Sequence, residues 1–129
     1  MATRGDTLDR DCPGRSVLGH ISSRWGVLIL VALAERSMRF YELRDRIEGV
    51  SEKILAQNLR VLVQDGLVAR TVHPSNPPKV SYALTELGTG LHHPLQELMD
   101  WIMVHTGDIV AARQHHAESA TRAQSWPGH

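Results

Sequence analysis

The chain has a single cysteine, Cys12, so no disulfide can close within it. Any disulfide must join it to a second chain or to a small thiol. Long hydrophobic runs are missing too: the longest, Trp25 to Ala34, is too short to span a bilayer. The first residues are polar and of mixed charge, without the pattern of a secretory signal. These absences predict a cytoplasmic protein with no membrane partner. There is no excess of either charge, with 14 basic against 14 acidic residues, which taken globally argues against non-specific affinity for nucleic acid. The sequence also lacks a nucleophile with a nearby base, a glycine-rich phosphate loop and a metal triad of proper spacing. Enzymatic chemistry, a metal site and a cofactor are therefore not expected.

What is present is an ordinary globular composition, 42% hydrophobic and 22% charged over 129 residues, enough for one domain with one core. The neutral total hides an asymmetry. Arg36 to Lys79 holds eight basic and five acidic residues, whereas Val80 to the end holds two and five. Such a division suits a domain that presents its middle to DNA and uses its end otherwise.

The basic middle contains the most informative segment, Ser51 to Gly66. At about 100° per residue, Lys53, Gln57, Arg60 and Gln64 fall on one stripe of a helix, and Leu55, Leu59 and Leu62 on the opposite one. The leucines predict the core face. Lys and Arg pair with phosphates, and Arg and Gln can also make bidentate contacts to guanine and adenine edges. A solvated face that binds nothing gives the same pattern, so the neighbouring elements decide.

Those elements come in a telling order. Cys12-Pro13-Gly14 opens a short helix to about Ser22, with Pro13 at a first helical position. Arg24 to Glu35 is apolar almost all round, as a central buried helix would be. Ser37-Met38-Arg39 reads as a link to a third helix, Phe40 to Ile47, with Phe40, Leu43 and Ile47 at helical spacing. Gly49 can end that helix in a left-handed conformation and Ser51 can cap the next. Helix, glycine turn and helix with a polar outer stripe predict a helix-turn-helix. Beyond Gly66 the period changes. Leu67 to Val72 and Lys79 to Leu84 are short and β-prone, and His73 to Pro78 separates them, predicting a two-stranded hairpin with a proline-stiffened tip. Arg70, His73 and Lys79 are placed on it to meet an adjacent groove or backbone.

Thr85 and Glu86 are expected to begin the last long helix, which carries Leu87, Leu91, Leu95, Leu98, Trp101 and Ile102, with a kink at Pro94. Trp101, Ile102 and Met103 lie beyond what a small core can cover, so part of this helix should bury itself against a second copy. Gly107 to His116 reads as one further helix, and Ala117 to His129, with Trp126, as a loose polar tail.

From Cys12 to about Trp101 the chain resembles the HxlR-type winged helix-turn-helix transcription regulators, relatives of the MarR-like group. The residues carrying the resemblance are Cys12-Pro13, Gly19 to Trp25, Arg39 to Leu43, Gly49 to Leu55, Leu59 to Leu62, Asp65 to Val68, Pro77 to Tyr82 and Leu84 to Gly88. Gly90 with His92-His93-Pro94 departs from it, as does everything after Trp101. The resemblance implies a mainly α fold with a small β-hairpin wing and a long C-terminal dimerisation helix. It also implies a homodimer on double-stranded DNA with an inverted-repeat operator, its paired recognition helices about 34 Å apart. The DNA-binding set is then Arg39, Ser51, Glu52, Lys53, Gln57, Arg60, Gln64, Arg70, His73 and Lys79. The first and last helices would form the dimer interface, with Val17, Leu18, Leu91, Leu95, Leu98, Trp101 and Ile102. The expected organisation is a flexible arm over 1–11, the winged helix-turn-helix with its dimerisation helices over 12–106, and a C-terminal helix and tail over 107–129.

Some members of that family sense quinones, aldehydes or oxidants through a cysteine near the N-terminus, the position of Cys12. A helix start and the nearby Arg10 and Arg15 favour thiolate, while Asp9 and Asp11 oppose it. Oxidants or small electrophiles are therefore the expected effectors, with an inert packed thiol as the alternative. Other readings are a winged-helix protein-interaction module without DNA binding, and a regulator sensing a small apolar ligand or a metal. His105, Asp108, His115 and His116 suggest the metal, though their spacing is loose.

Overall fold

A computed structural model describes residues 8–124; the expectations for the first seven residues of the arm and for Trp126 in the tail lie outside that range. Helices α1 (Pro13–Ser22) and α2 (Arg24–Glu35) come first, followed by a two-residue strand β1 (Met38–Arg39) and α3 (Phe40–Arg46). Then follow α4 (Glu52–Gln64), strands β2 (Val68–His73) and β3 (Lys79–Leu84), a short α5 (Glu86–Thr89) and α6 (His92–Gln124). The order is that of a winged helix-turn-helix. The chain divides into two units, one ending at Leu95 and the other beginning at Gln96.

In the first unit the apolar helix α2 supplies Ile29, Leu30, Ala32 and Leu33 to the core, all buried. Leu43 of α3 and Ile47 at its C-cap meet them, as do Leu55, Leu59 and Leu62 from α4. The leucine stripe of α4 thus faces inward as its spacing dictates. Ser23 caps α2, its Oγ accepting from the Gly26 N–H at 3.1 Å. Ser51 caps α4 in the same way, accepting from the Ile54 N–H at 3.1 Å. Between α3 and α4 the chain turns at Gly49, whose φ of +89° is open to glycine at no steric cost.

The sheet has three strands, not the two the sequence suggests. β1 pairs antiparallel with β3 through Met38↔Tyr82 and Arg39↔Ser81, giving the order β1-β3-β2. The expected link over Ser37-Met38-Arg39 is therefore partly strand, and Met38 is buried. Two residues are too few to display an alternating pattern, so the sequence carries no strand signal there.

The end of the sheet is welded to the start of α5. Thr85 Oγ1 donates to the Gly66 carbonyl at 2.6 Å and accepts from the Gly88 N–H at 3.0 Å. A Cβ added at Gly88 would lie 2.0 Å from the Leu67 carbonyl oxygen, so only glycine permits this approach. Instead of one helix from Thr85 onward there are two, separated at Gly90-Leu91. The expected kink at Pro94 has no place here. Pro94 is the third residue of α6, where a backbone N–H would have had no helical partner.

The second unit is the continuation of α6, 33 residues in all, which carries helix through Gly107 to Gln124. A separate helix over Gly107 to His116 and a loose tail from Ala117 were expected; helix replaces both as far as Gln124. Ala111, Ala112, Ala117, Ala120 and Ala123 are the strongest helix formers, and their propensity carries the chain on. Among the described residues no single helix is long and apolar enough to cross a membrane.

Candidate nucleic-acid interface

Once Leu55, Leu59 and Leu62 are buried, geometry turns the opposite stripe of α4 outward: Lys53, Gln57, Arg60 and Gln64 are all exposed. The hairpin beside it exposes Arg70, His73 and Lys79. Arg70 faces Tyr82 across the ladder, two residues along from the buried Val68, so it shares the face of the wing on which Val68 lies. Arg70 and Tyr82 line one cleft with Ala56, Arg60 and Gln64 of α4, which puts the basic edge of the wing against the outer flank of that helix.

The arginines around this face divide into two groups, a division that the sequence does not display. Arg44 Nη1 donates to Glu52 Oε1 at 2.6 Å, across the turn of the helix-turn-helix, and its Nε lies 3.4 Å from Asp45 Oδ1. Arg46 grips Glu35 with two donors, at 2.9 and 3.0 Å. Arg36 donates to Glu42 at 3.0 Å. The hydrogen bond from Arg46 holds the Glu35 carboxyl below its ordinary value, and the Arg39 N–H does the same for Glu42, with help from Arg36. The Glu52 carboxylate raises Arg44, and the Glu35 carboxylate raises Arg46. Among the described residues, no such pair is formed by Lys53, Arg60, Arg70 or Lys79.

The remaining candidates are engaged in several ways. Glu52 is tied to Arg44, and the Ser51 hydroxyl to its cap. Arg39, half-buried, lays its guanidinium 4.9 Å from the centre of the Tyr41 ring. His73 Nε2 lies 2.9 Å from Ser81 Oγ across the hairpin. The contact between His20 and Asp65 was not anticipated: Nδ1 lies 2.6 Å from Oδ2. It joins α1 to the C-cap of α4. Cys12 is half-buried at the N-cap of α1 and makes no side-chain capping bond, while Arg15 donates to the Leu8 carbonyl at 2.9 Å.

The apolar candidates also separate. Leu95 is buried in the core of the first unit, with Leu91 packed against it. Val17 and Leu18 on α1 are exposed. In the second unit Leu98, Trp101 and Ile102 are exposed, and Trp101 stacks on His105 with ring centres 4.2 Å apart. Among the described residues, no three His, Cys, Asp or Glu side chains come together as metal ligands would.

The HxlR-like helix-turn-helix family matches residues 20–109. The HTH-type transcriptional regulator YtfH of Escherichia coli (strain K12) is 48% identical over 113 residues, covering 88% of this chain and 90% of its own. The solved structure of the transcriptional regulator ytfH from Salmonella typhimurium is similar with a TM-score of 0.80 at 46% identity, covering 86% of this chain and 99% of that one. The redox regulator HypR in its oxidized form is similar with a TM-score of 0.67 at 31% identity, over 72% of this chain and 96% of that one. These relatives carry the description of transcriptional regulators.

Proposed function

The chain belongs to the HxlR-like helix-turn-helix family of transcriptional regulators, and from that premise we propose that it binds an inverted-repeat operator as a homodimer in the cytoplasm. α4 enters the major groove, and the wing meets the adjacent backbone. The observation that carries this reading is the exposed cationic and amide stripe of Lys53, Gln57, Arg60 and Gln64 beside Arg70 and Lys79, its cations without a carboxylate partner among the described residues, while Arg36, Arg44 and Arg46 are neutralised by neighbouring carboxylates. Each free cation can displace a counterion from a phosphate, and Arg60 and the glutamines can read base edges. Ser51 and Glu52, at the start of α4, Arg39 of β1 and His73 at the end of β2 complete the proposed contact set. Glu52, oriented by Arg44, can accept from the cytosine amino group.

The second copy covers the apolar side chains that the chain leaves exposed: Val17 and Leu18 on α1, and Leu98, Trp101 and Ile102 on α6. Desolvating such residues is the usual driving force for association. The test is a gel shift with DNA spanning the chain's own promoter, at rising salt. Steep loss of affinity supports the reading; salt-independent binding, or none, contradicts it.

Cys12 is the proposed point of signal entry, supported by its place at the start of α1 and by the likeness to a redox regulator. An oxidant that takes two electrons and two protons from a pair of these thiols, one per subunit, leaves an intersubunit disulfide; an electrophile leaves a thioether. Operator release by the thiol oxidant diamide, abolished in Cys12→Ser, supports this role, and equal release of both proteins excludes it.

A further inference from the structure

Past Leu95, α6 carries apolar side chains in water, and their spacing is regular. Leu98, Ile102, His105, Ile109 and Ala112 recur at alternating intervals of four and three residues, the heptad period of a helix that packs along a second helix. Leu98 and Ile102 are exposed, and His105 and Ile109 are half-buried. One member of the stripe is chemically out of place, since an imidazole occupies the layer between two isoleucines. Its ring is held over the preceding turn: Nδ1 lies 2.8 Å from the Trp101 carbonyl oxygen, and the Trp101 ring stacks on it with centres 4.2 Å apart.

The charges beside the stripe select its occupant. Asp108 and Arg113 are exposed and, among the described residues, form no ion pair. With Ile102 and Ile109 at heptad position a and Leu98, His105 and Ala112 at d, Asp108 stands at g and Arg113 at the e of the following heptad. Those two positions meet across the seam of two parallel, in-register helices. An antiparallel pair sets g against g and e against e, and the e positions Met99, Thr106, Arg113 and Ala120 offer Arg113 no carboxylate. The stripe is complementary to itself: a parallel second copy gains an apolar seam and an Asp108–Arg113 pair on each side of it.

From this arrangement we infer that the two α6 helices form an acid-sensitive clasp, in which His105 faces the partner's His105 in one layer and protonation of both drives the copies apart. The inference rests on the homodimer reading of the preceding subsection and adds a means of regulating it. In a parallel pair the residues at d face their own equivalents, so two imidazoles meet between Ile102 and Ile109. Neutral rings pack there. Two imidazolium ions side by side, shielded from water by isoleucines, are opposed both by desolvation and by their like charge. The neighbouring charges do not reverse that sign. From Leu98 to Arg113 the other charged side chains are Asp100, Asp108 and Arg113, and the second copy brings the same set. Asp108 is engaged by the partner's Arg113, and Asp100 accepts from Gln96 Nε2 at 2.9 Å, away from the seam. Imidazole is the side chain whose ordinary titration falls between about pH 5 and 8, so acidification through that range loosens the dimer and releases an operator that both subunits must hold. Cys12 takes no part.

Sedimentation equilibrium of the full chain without DNA, at about pH 7.5 and about pH 5 and constant ionic strength, tests the clasp. The expected result is a dimer dissociation constant at least about tenfold higher at the lower pH. His105→Leu keeps the layer apolar and removes the titrating group, so its dimer is at least as tight as the parent's at the higher pH and stays so at the lower. Equal acid weakening of parent and His105→Leu, or a parent dimer indifferent to pH, overturns the inference and leaves the homodimer standing. Charge reversal tests the alignment. Asp108→Arg sets like charges across the seam and weakens the dimer roughly fivefold or more, and adding Arg113→Asp exchanges the pair and restores it. A double variant as weak as Asp108→Arg alone, with both still helical by circular dichroism, overturns the parallel alignment and with it the His105 layer. A chain that is monomeric at both pH values contradicts the homodimer reading itself and the clasp with it, so failure of the clasp alone is distinguishable from failure of the dimer.

Discussion

His20 Nδ1 lies 2.6 Å from Asp65 Oδ2, bonding the last turn of α1, whose N-cap is Cys12, to the C-cap of α4. Both side chains are partly exposed, which keeps the energy small: His20→Ala should cost about 0.5–1 kcal/mol. Urea denaturation checks the value. Because α1 loses its hold on α4 in that variant, the dependence of operator affinity on Cys12 oxidation should shrink as well, and an unchanged dependence would show that the contact carries no signal.

Gly88→Ala tests the weld between sheet and α5. Its Cβ would come within 2.0 Å of the Leu67 carbonyl oxygen, a backbone atom that cannot rotate away. About 1–3 kcal/mol of destabilisation is expected, as for other overpacked sites. A denaturation midpoint within error of the parent would mean that the approach is looser than described.

Ser51→Ala removes the acceptor for the Ile54 N–H at the start of α4 and should cost about 1 kcal/mol. Ser51→Asp keeps an acceptor and adds a charge suited to a helix N-terminus, so its stability should stay near that of the parent. Thermal unfolding of the pair separates a lost cap from a lost side chain.

Acid sensitivity follows from Glu35 and Glu42. Both carboxyls are held below their ordinary value, Glu35 by the hydrogen bond from Arg46 and Glu42 by the Arg39 N–H. A depressed folded value contributes stability that is fully present above the ordinary glutamate range and is lost as pH falls through the depressed value. The drop in stability from neutral to acid pH should therefore be shallower in a Glu35→Gln, Glu42→Gln double variant than in the parent. Identical pH profiles would contradict the assignment.

Legibility in the sequence tracked the range of the interaction. The stripe of Leu55, Leu59 and Leu62, the Ser51 cap and the turn at Gly49 depend on neighbours a few residues away, and local spacing displayed them. β1 was hidden because its pairing with Tyr82 and Ser81 is long-range and its two residues hold no period. The Arg46–Glu35 and Arg44–Glu52 pairs were hidden for the same reason: charge counting over Arg36 to Lys79 treats every arginine alike, and only the packing of α3 against its neighbours reveals which are neutralised. The spacing of Leu91, Leu95 and Leu98 along one helix does not distinguish core from interface, and Leu95 is enclosed by the first unit's own core. The polar residues after Ala112 carry no apolar period, so the helix that continues to Gln124 is signalled only by the propensity of its alanines.

The most direct test of the account is the salt dependence of promoter binding by the parent, Lys53→Ala and Arg60→Ala. If the outer stripe of α4 contacts the duplex, each substitution weakens binding and lowers the slope of log affinity against log salt by about 1 when the lost cation had met a phosphate; a loss of sequence preference marks Arg60 instead as a base reader. Folded variants that keep both the parent's affinity and its slope would contradict the claim that this face binds DNA.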